Sequence, residues 1–212
     1  MLASQKHGAK RARVTRKKSV AQRVAKLERV ARQKEVKHKN TTTTATASSS
    51  GGFVHVSDID QGDAANTRDG NRVLLKSWWF RFHTTNANNN AIRLILFLDR
   101  DSDGSAPTIG TLLHSSTAAD IPVTPLEQTT RQRFKVLYDQ TVSSASPTAM
   151  DNEDWARQTA SGSFGPGGIV CEFNGATGST DGRRNQLWLM IASDNATGDT
   201  VRVGTSVAYQ DL

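Results

Sequence analysis

Positive charge in this chain is concentrated at the N-terminal end, and this limits which part of the chain can fold around a core. Residues 1–40 contain 14 lysines and arginines against two acidic residues, Glu28 and Glu35. The other 172 residues contain 13 basic and 18 acidic residues. A segment with so much like charge and so few apolar residues does not bury enough surface to fold alone. The sequence therefore predicts a basic N-terminal arm, residues 1–40, joined to a mildly acidic domain.

The basic arm predicts a polyanionic partner. Closely spaced Lys and Arg side chains release counterions from phosphates, which gives tight, salt-dependent binding without sequence preference. Because such contacts recognise phosphate and not bases, they do not distinguish single-stranded RNA from DNA. The stretch from Lys10 to Lys18 would also serve as a nuclear localisation signal, and the two roles are compatible. The predicted nucleic-acid-binding residues are Lys6, Lys10, Arg11, Arg13, Arg16, Lys17, Lys18, Arg23, Lys26, Arg29, Arg32, Lys34, Lys37 and Lys39.

The second half of the arm, residues 19–36, is predicted to form a helix. Ser19 followed by Gln22 resembles a capping box, and apolar residues follow at helical spacing. A helix of this length is marginal alone, so we expect it to become ordered against a partner.

A low-complexity stretch, TTTTATASSSGG at residues 41–52, follows the arm. It contains no charge and no bulky side chain. This composition is typical of a linker, so the sequence predicts a domain boundary here and a folded domain at residues 53–212.

The domain is predicted to be all-β. Short apolar and β-branched runs alternate with clusters of Gly, Asn, Asp and Pro, and the long connection at residues 99–130 favours a jelly-roll sandwich over a simple meander. One helical turn is expected at Ile109–Leu113. No apolar run approaches the roughly 20 residues that a membrane span needs. The predicted strands are Arg72–His83, Ala91–Leu98, Arg133–Val142, Gly168–Phe173, Gln186–Ala192 and Val201–Tyr209.

The first of these strands contains a cluster of aromatic residues among basic ones. Such a mixture also occurs in proteins that stack single-stranded bases. In an alternating strand, however, Trp78, Phe80 and Phe82 share one face, which we expect to be the core. Trp79 is expected on the opposite face, together with Leu75, Ser77 and Arg81. A core or subunit contact is the favoured interpretation of the cluster.

The run Asp99–Gly104 matches the start of an EF-hand calcium loop. That loop needs a bidentate Glu at its twelfth position, where this chain has Gly110, and it needs flanking helices. The sequence instead predicts a solvated turn that follows a strand.

The sequence predicts no enzyme. His55, His83 and His114 have no neighbouring carboxylate pair and no ligand spacing for a metal. Cys171 is the single cysteine and is expected to be a buried, inert thiol. We therefore expect no catalytic residue and no small-molecule substrate.

Short motifs in a fixed order resemble those of the coat proteins of satellite tobacco necrosis virus and the related capsid proteins of small circular single-stranded DNA viruses. The resemblance covers roughly residues 53–212, whereas the arm is similar in character only. The motifs are Ile59-Asp60-Gln61-Gly62-Asp63, Thr67-Arg68-Asp69-Gly70-Asn71-Arg72-Val73, Phe97-Leu98-Asp99-Arg100, Gln132-Arg133-Phe134-Lys135-Val136-Leu137 and Tyr209-Gln210-Asp211-Leu212.

This resemblance implies an eight-stranded single jelly roll, sixty copies of which close an icosahedral shell with the arms directed inward. It places the protein in the virion and, if the arm directs import, in the host nucleus during assembly. It also implies calcium between subunits, bound by Asp211 and by the backbone carbonyls of Asp69 and Arg72. The alternative for Asp211 is a salt bridge or a solvated tail.

A rival hypothesis is a cellular nucleic-acid-binding or chaperone-like β-sandwich with a basic tail. Such a module would form a small oligomer and no closed shell.

Overall fold

A computed structural model describes residues 35–84, 90–143, 157–175 and 182–212. The predicted helix at residues 19–36 lies almost wholly outside this part of the chain. The twelve basic arm residues up to Lys34 also lie outside the described part. In the described part, no helix is long and apolar enough to cross a membrane.

The described residues form ten strands and two short helical segments. The helical turn α1 spans Ile109–Leu112, and a 3-10 turn spans Ala118–Asp120. The strands are β1 (Lys37–Ala47), β2 (Gly52–His55), β3 (Arg72–Thr84), β4 (Ala91–Asp99), β5 (Phe134–Ser143), β6 (Arg157–Ser163), β7 (Ile169–Phe173), β8 (Gly182–Arg184), β9 (Gln186–Ser193) and β10 (Asp199–Asp211). All six predicted strands are present, with ends within two residues of those expected.

The strands form two antiparallel sheets. One has the order β1-β10-β3-β7-β8 with β6 also on β3, and the other has the order β2-β9-β4-β5. Strand β7 pairs with the first part of β3 and β6 with the rest, so the two act as one interrupted strand. Apart from the short β8, this leaves two four-stranded sheets between which the chain crosses repeatedly. The arrangement is a jelly roll, and the predicted fold class is confirmed.

The central strands of the smaller sheet are buried on both faces. Every residue of β9 is buried, and in β4 all but Ala91 are buried. One face packs between the sheets, while the other is covered by α1 and by apolar residues of the connection at residues 99–130. This double burial explains why β4 and β9 are nearly continuous apolar runs.

Strand β1 corrects the predicted linker at residues 41–52. It pairs with β10 along its whole length, from Lys37 opposite Tyr209 to Ala47 opposite Asp199. Threonine is β-branched and suits a strand, and Ala45 and Ala47 pack against the core. The folded domain therefore includes Lys37 and does not begin at residue 53.

Strand β3 contains a bulge that resets its alternation. Ser77 pairs with Ala208 and Leu75 with Tyr209, so Lys76 is the additional residue. The expectation that Leu75 shares a face with Trp79 is wrong, because the bulge turns Leu75 into the core, where it is fully buried. The burial of Trp78, Phe80 and Phe82 is confirmed.

Candidate functional site

The first candidate site lies where β1 begins and β10 ends. The antiparallel pairing of the two strands brings Lys37 beside the C-terminal end of β10. The Lys37 Nζ atom lies 2.9 Å from Asp211 Oδ2 and 3.0 Å from Asp69 Oδ1. It also donates a hydrogen bond to the Thr67 carbonyl at 3.1 Å. We call Lys37, Asp69 and Asp211, with the Thr67 carbonyl, the Lys37 cluster.

The Lys37 cluster is well matched to an ammonium group. The three N–H donors of a lysine meet two carboxylates and one carbonyl. The Lys37 and Asp211 side chains are only 15% and 12% exposed. The hydrogen bond to Asp211 raises the pKa of Lys37, burial opposes this, and the bond to Asp69 adds to it. Lys37 is therefore a stably charged cation in the folded protein.

The residues of the implied calcium site are close together but do not fit calcium as they are arranged. Asp211 Oδ1 accepts the N–H of Asp69 at 3.1 Å, and the Arg72 carbonyl accepts the N–H of Leu212 at 3.3 Å. Calcium needs six to eight oxygen ligands, whereas here an ammonium lies among the oxygens. In the described part of the chain, no group of three His, Cys, Asp or Glu side chains is placed to hold a metal. Asp211 forms the salt bridge that was the alternative interpretation.

Lys39, two residues after Lys37 on β1, is also paired with a carboxylate of the domain. Its Nζ atom lies 3.1 Å from Asp60 Oδ2. Both lysines were predicted to bind nucleic acid, yet their charges are balanced by carboxylates of their own domain. The other twelve predicted binding residues, up to Lys34, lie outside the described part of the chain.

Arg68 is a structural residue that sequence reasoning missed. It is fully buried, its Nε atom donates to the Ile59 carbonyl at 2.9 Å, and its guanidinium lies 4.2 Å from the centre of the Phe173 ring. These contacts shape the loop that presents Asp60, Thr67 and Asp69 to β1. The one sequence feature that could have indicated this structural role is the position of Arg68 within the motif Thr67–Gly70.

The Asp99–Gly104 run makes the predicted turn with Asx-type bonds, but it is only partly solvated, because Asp99 ends β4 and is buried together with Ser102. The Asp99 carboxylate is fully buried and binds Arg133 through two contacts of 2.7 Å. Asp99 and Asp103 accept the N–H groups of Asp101 and Ser105 in Asx-type bonds. Gly104 has a φ of 89°, which a glycine adopts without strain.

Cys171, His55 and His114 are held in structural contacts. Burial raises the pKa of the Cys171 thiol to about 12, so it stays protonated and inert. The His55 ring stacks on Trp188 with ring centres 4.2 Å apart. His114 contacts Glu127 at the surface.

Comparisons with known proteins agree with the motifs and the fold. The family described as satellite tobacco necrosis virus coat protein matches residues 5–212. The coat protein of Maize white line mosaic Satellite virus is 29% identical over 160 residues, which are 72% of this chain and 69% of that protein.

A solved structure was also matched. It is entitled "Structure of infectious bursal disease virus Gx strain" and is 9% identical, with a TM-score of 0.26. The match covers 85% of this chain but only 37% of that one.

The family match extends from the arm to the last residue of the domain. A coat protein has a structural role, associates with its own copies into a shell and is located in the virion. The chain belongs to the satellite tobacco necrosis virus coat protein family.

Proposed function

We propose that this coat protein packages a single-stranded nucleic acid by neutralising it with residues 1–34, while residues 35–212 form an icosahedral shell of sixty copies. The observation that supports this is the division of charge. Residues 1–34 contain twelve Lys and Arg against one acid, Glu28, whereas residues 35–212 contain 15 basic and 19 acidic residues.

The amount of charge suits a small genome. Sixty arms would supply on the order of 700 positive charges, and a single strand has one phosphate per nucleotide. Together, sixty such arms would neutralise most of the phosphates of a genome on the order of a kilobase. Lys37 and Lys39 belong to the domain side of this division of charge, because each is paired with a carboxylate of the domain.

The proposal includes no calcium. The resemblance implies that Asp211 and the backbone near Asp69 bind a calcium ion between subunits. In this chain the Lys37 ammonium already supplies a positive charge to Asp211 and Asp69. We therefore expect assembly to be insensitive to chelators.

Deletion of residues 1–34 tests packaging. The full-length and shortened proteins are purified under identical conditions and compared by electron microscopy and by the ratio of absorbance at 260 and 280 nm. We expect closed shells with nucleic-acid absorbance from the full-length chain and a protein-like ratio from the shortened one. Digestion with RNase or DNase identifies the extracted polymer.

A second variant separates charge from length. All twelve basic residues of the arm are replaced by Gln, and we expect the same loss of nucleic acid. Equal nucleic-acid content in both variants and the parent would contradict packaging by the arm. Small oligomers that persist after nucleic acid is added would contradict the shell.

A further inference from the structure

We propose that the outer face of the six-stranded sheet around Trp79 is a second binding site for single-stranded nucleic acid, which stacks bases on Trp79 and binds phosphates at Arg81 and Arg202. The inference rests on the proposed packaging function and extends it from the arm to the folded domain.

The site is formed by side chains that point away from the core on four adjacent strands. On β3 the residues beyond the bulge alternate, so that Trp79 and Arg81 point outward while their neighbours are buried. The registers place outward residues of β1, β10 and β6 beside them. This Trp79 face consists of Ser77, Trp79, Arg81, His83, Ala208, Ser206, Gly204, Arg202, His38, Asn40, Thr42, Thr44, Ser163, Ser161 and Thr159.

Among the described side chains, the Trp79 face contains no acidic residue, although residues 35–212 have more acids than bases. Among the described side chains of this face, the charged ones are Arg81 and Arg202, and most of the others are Ser, Thr, Asn or Gly. Within the described residues neither arginine forms a salt bridge, in contrast to Lys37 and Lys39. A phosphate backbone therefore meets cations and hydrogen-bond donors on this face and no repelling carboxylate.

Trp79 is placed to receive a base. The Arg81 guanidinium carbon lies 5.7 Å from the centre of the Trp79 ring. Gly204 lies beside the ring, and a Cβ atom there would be 3.7 Å from it, so a larger residue would cover part of the indole. The ring, both arginines, Asn40 and Thr42 line a shallow depression of about 440 Å³. An indole next to cations is the combination that single-strand-binding proteins use for stacking.

Two other occupants fit less well. A second copy that presented the same face would bring four arginines together without an acid. Residues 1–34 carry the same sign of charge as Arg81 and Arg202. Nucleic acid fits better, because its phosphates are opposite in charge to Arg81 and Arg202 and its bases can stack on the Trp79 indole.

The test separates stacking from charge. Full-length protein, kept as free subunits, is titrated with a fluorescent oligothymidine and with an abasic sugar-phosphate oligomer of the same length. We expect Trp79→Ala to weaken oligothymidine binding about 5- to 10-fold and to change binding of the abasic oligomer less than about 2-fold. Trp79→Phe should retain most of the affinity, and near-ultraviolet circular dichroism checks that each variant is folded.

Paired charge variants complete the test. Arg81→Gln with Arg202→Gln should weaken binding of both oligomers and reduce the salt dependence by about one phosphate contact per arginine. The exposed Arg131→Gln is the matched control and should change neither. Unchanged oligothymidine affinity in folded Trp79→Ala would overturn the inference, as would an equal loss for both oligomers. If deletion of residues 1–34 still abolished packaging, the proposed function would stand without this second site.

Discussion

Two regions of the same six-stranded sheet contain basic residues in opposite surroundings. In the Lys37 cluster, the cation lies within 3.0 Å of two carboxylates that belong to its own chain. On the Trp79 face, Arg81 and Arg202 lie among hydroxyl and amide side chains. The sequence predicts nucleic-acid binding for Lys37 and Lys39 and no role for Arg202. The comparison shows that the side chains facing a lysine or arginine decide whether its charge is available to a partner.

The largest expected effect is the loss of the Lys37 ammonium. Lys37→Met leaves Asp69 and Asp211 close together without a cation, and we expect a loss of about 1–3 kcal/mol in the free energy of unfolding. Urea denaturation of free subunits measures it. Lys39→Met is the matched control and should cost less than about 1 kcal/mol, because its partner Asp60 is 48% exposed whereas Asp211 is 12% exposed. Equal effects in the two variants would contradict the special role of the Lys37 cluster.

The same substitution should create a response to calcium. With the ammonium removed, the oxygens of Asp69, Asp211 and Thr67 become available to a hard cation. We expect millimolar calcium to raise the melting temperature of Lys37→Met, and neither calcium nor EDTA to change that of the parent. A parent protein that loses stability or shells in EDTA would show that calcium binds despite Lys37.

An acid placed on the Trp79 face should turn it into a repelling surface. Ser206 lies opposite Trp79. Ser206→Glu should lower the affinity for oligothymidine about 10-fold at low salt and less at high salt, because the repulsion is screened. Ser206→Gln has the same shape without the charge and should change affinity less than about 2-fold. Similar losses in both variants would indicate a steric effect.

The smallest effect concerns pH. A lysine whose pKa is raised in the folded state stabilises the fold fully below its unfolded pKa, near 10.5, and loses this contribution as the pH rises through the folded value. The stability difference between the parent and Lys37→Met should therefore be constant from pH 6 to 9. A difference that shrinks within that range would mean that Lys37 is not charged as described.

The sequence predicts six of the ten described strands, and the clearest of them, β4 and β9, are apolar runs because they are buried on both faces. It does not predict β1, β2, β6 and β8. Of these, β1 and β6 are rich in Thr, Ser and Gly, the composition of a linker, although they pair with β10 and β3. The position of Leu75 depends on the bulge at Lys76, and nothing local signals that extra residue.

The sites divide in the same way. The charge of the arm is visible in composition alone, and the motifs identify the region of Asp69 and Asp211. The ion pair of Lys37 with Asp211 joins residues at opposite ends of the domain, so only the strand pairing brings them together. The Trp79 face likewise needs the register of four strands before its lack of acids can be recognised.

The most direct measurement is cryo-electron microscopy of recombinant full-length particles at a resolution that shows side chains. The account predicts closed shells in which Lys37 Nζ lies between Asp69 and Asp211 without a metal, and nucleic-acid density lies over Trp79 and beside Arg81 and Arg202. A metal ion in the Lys37 cluster, or protein density from a neighbouring copy over Trp79, would contradict it.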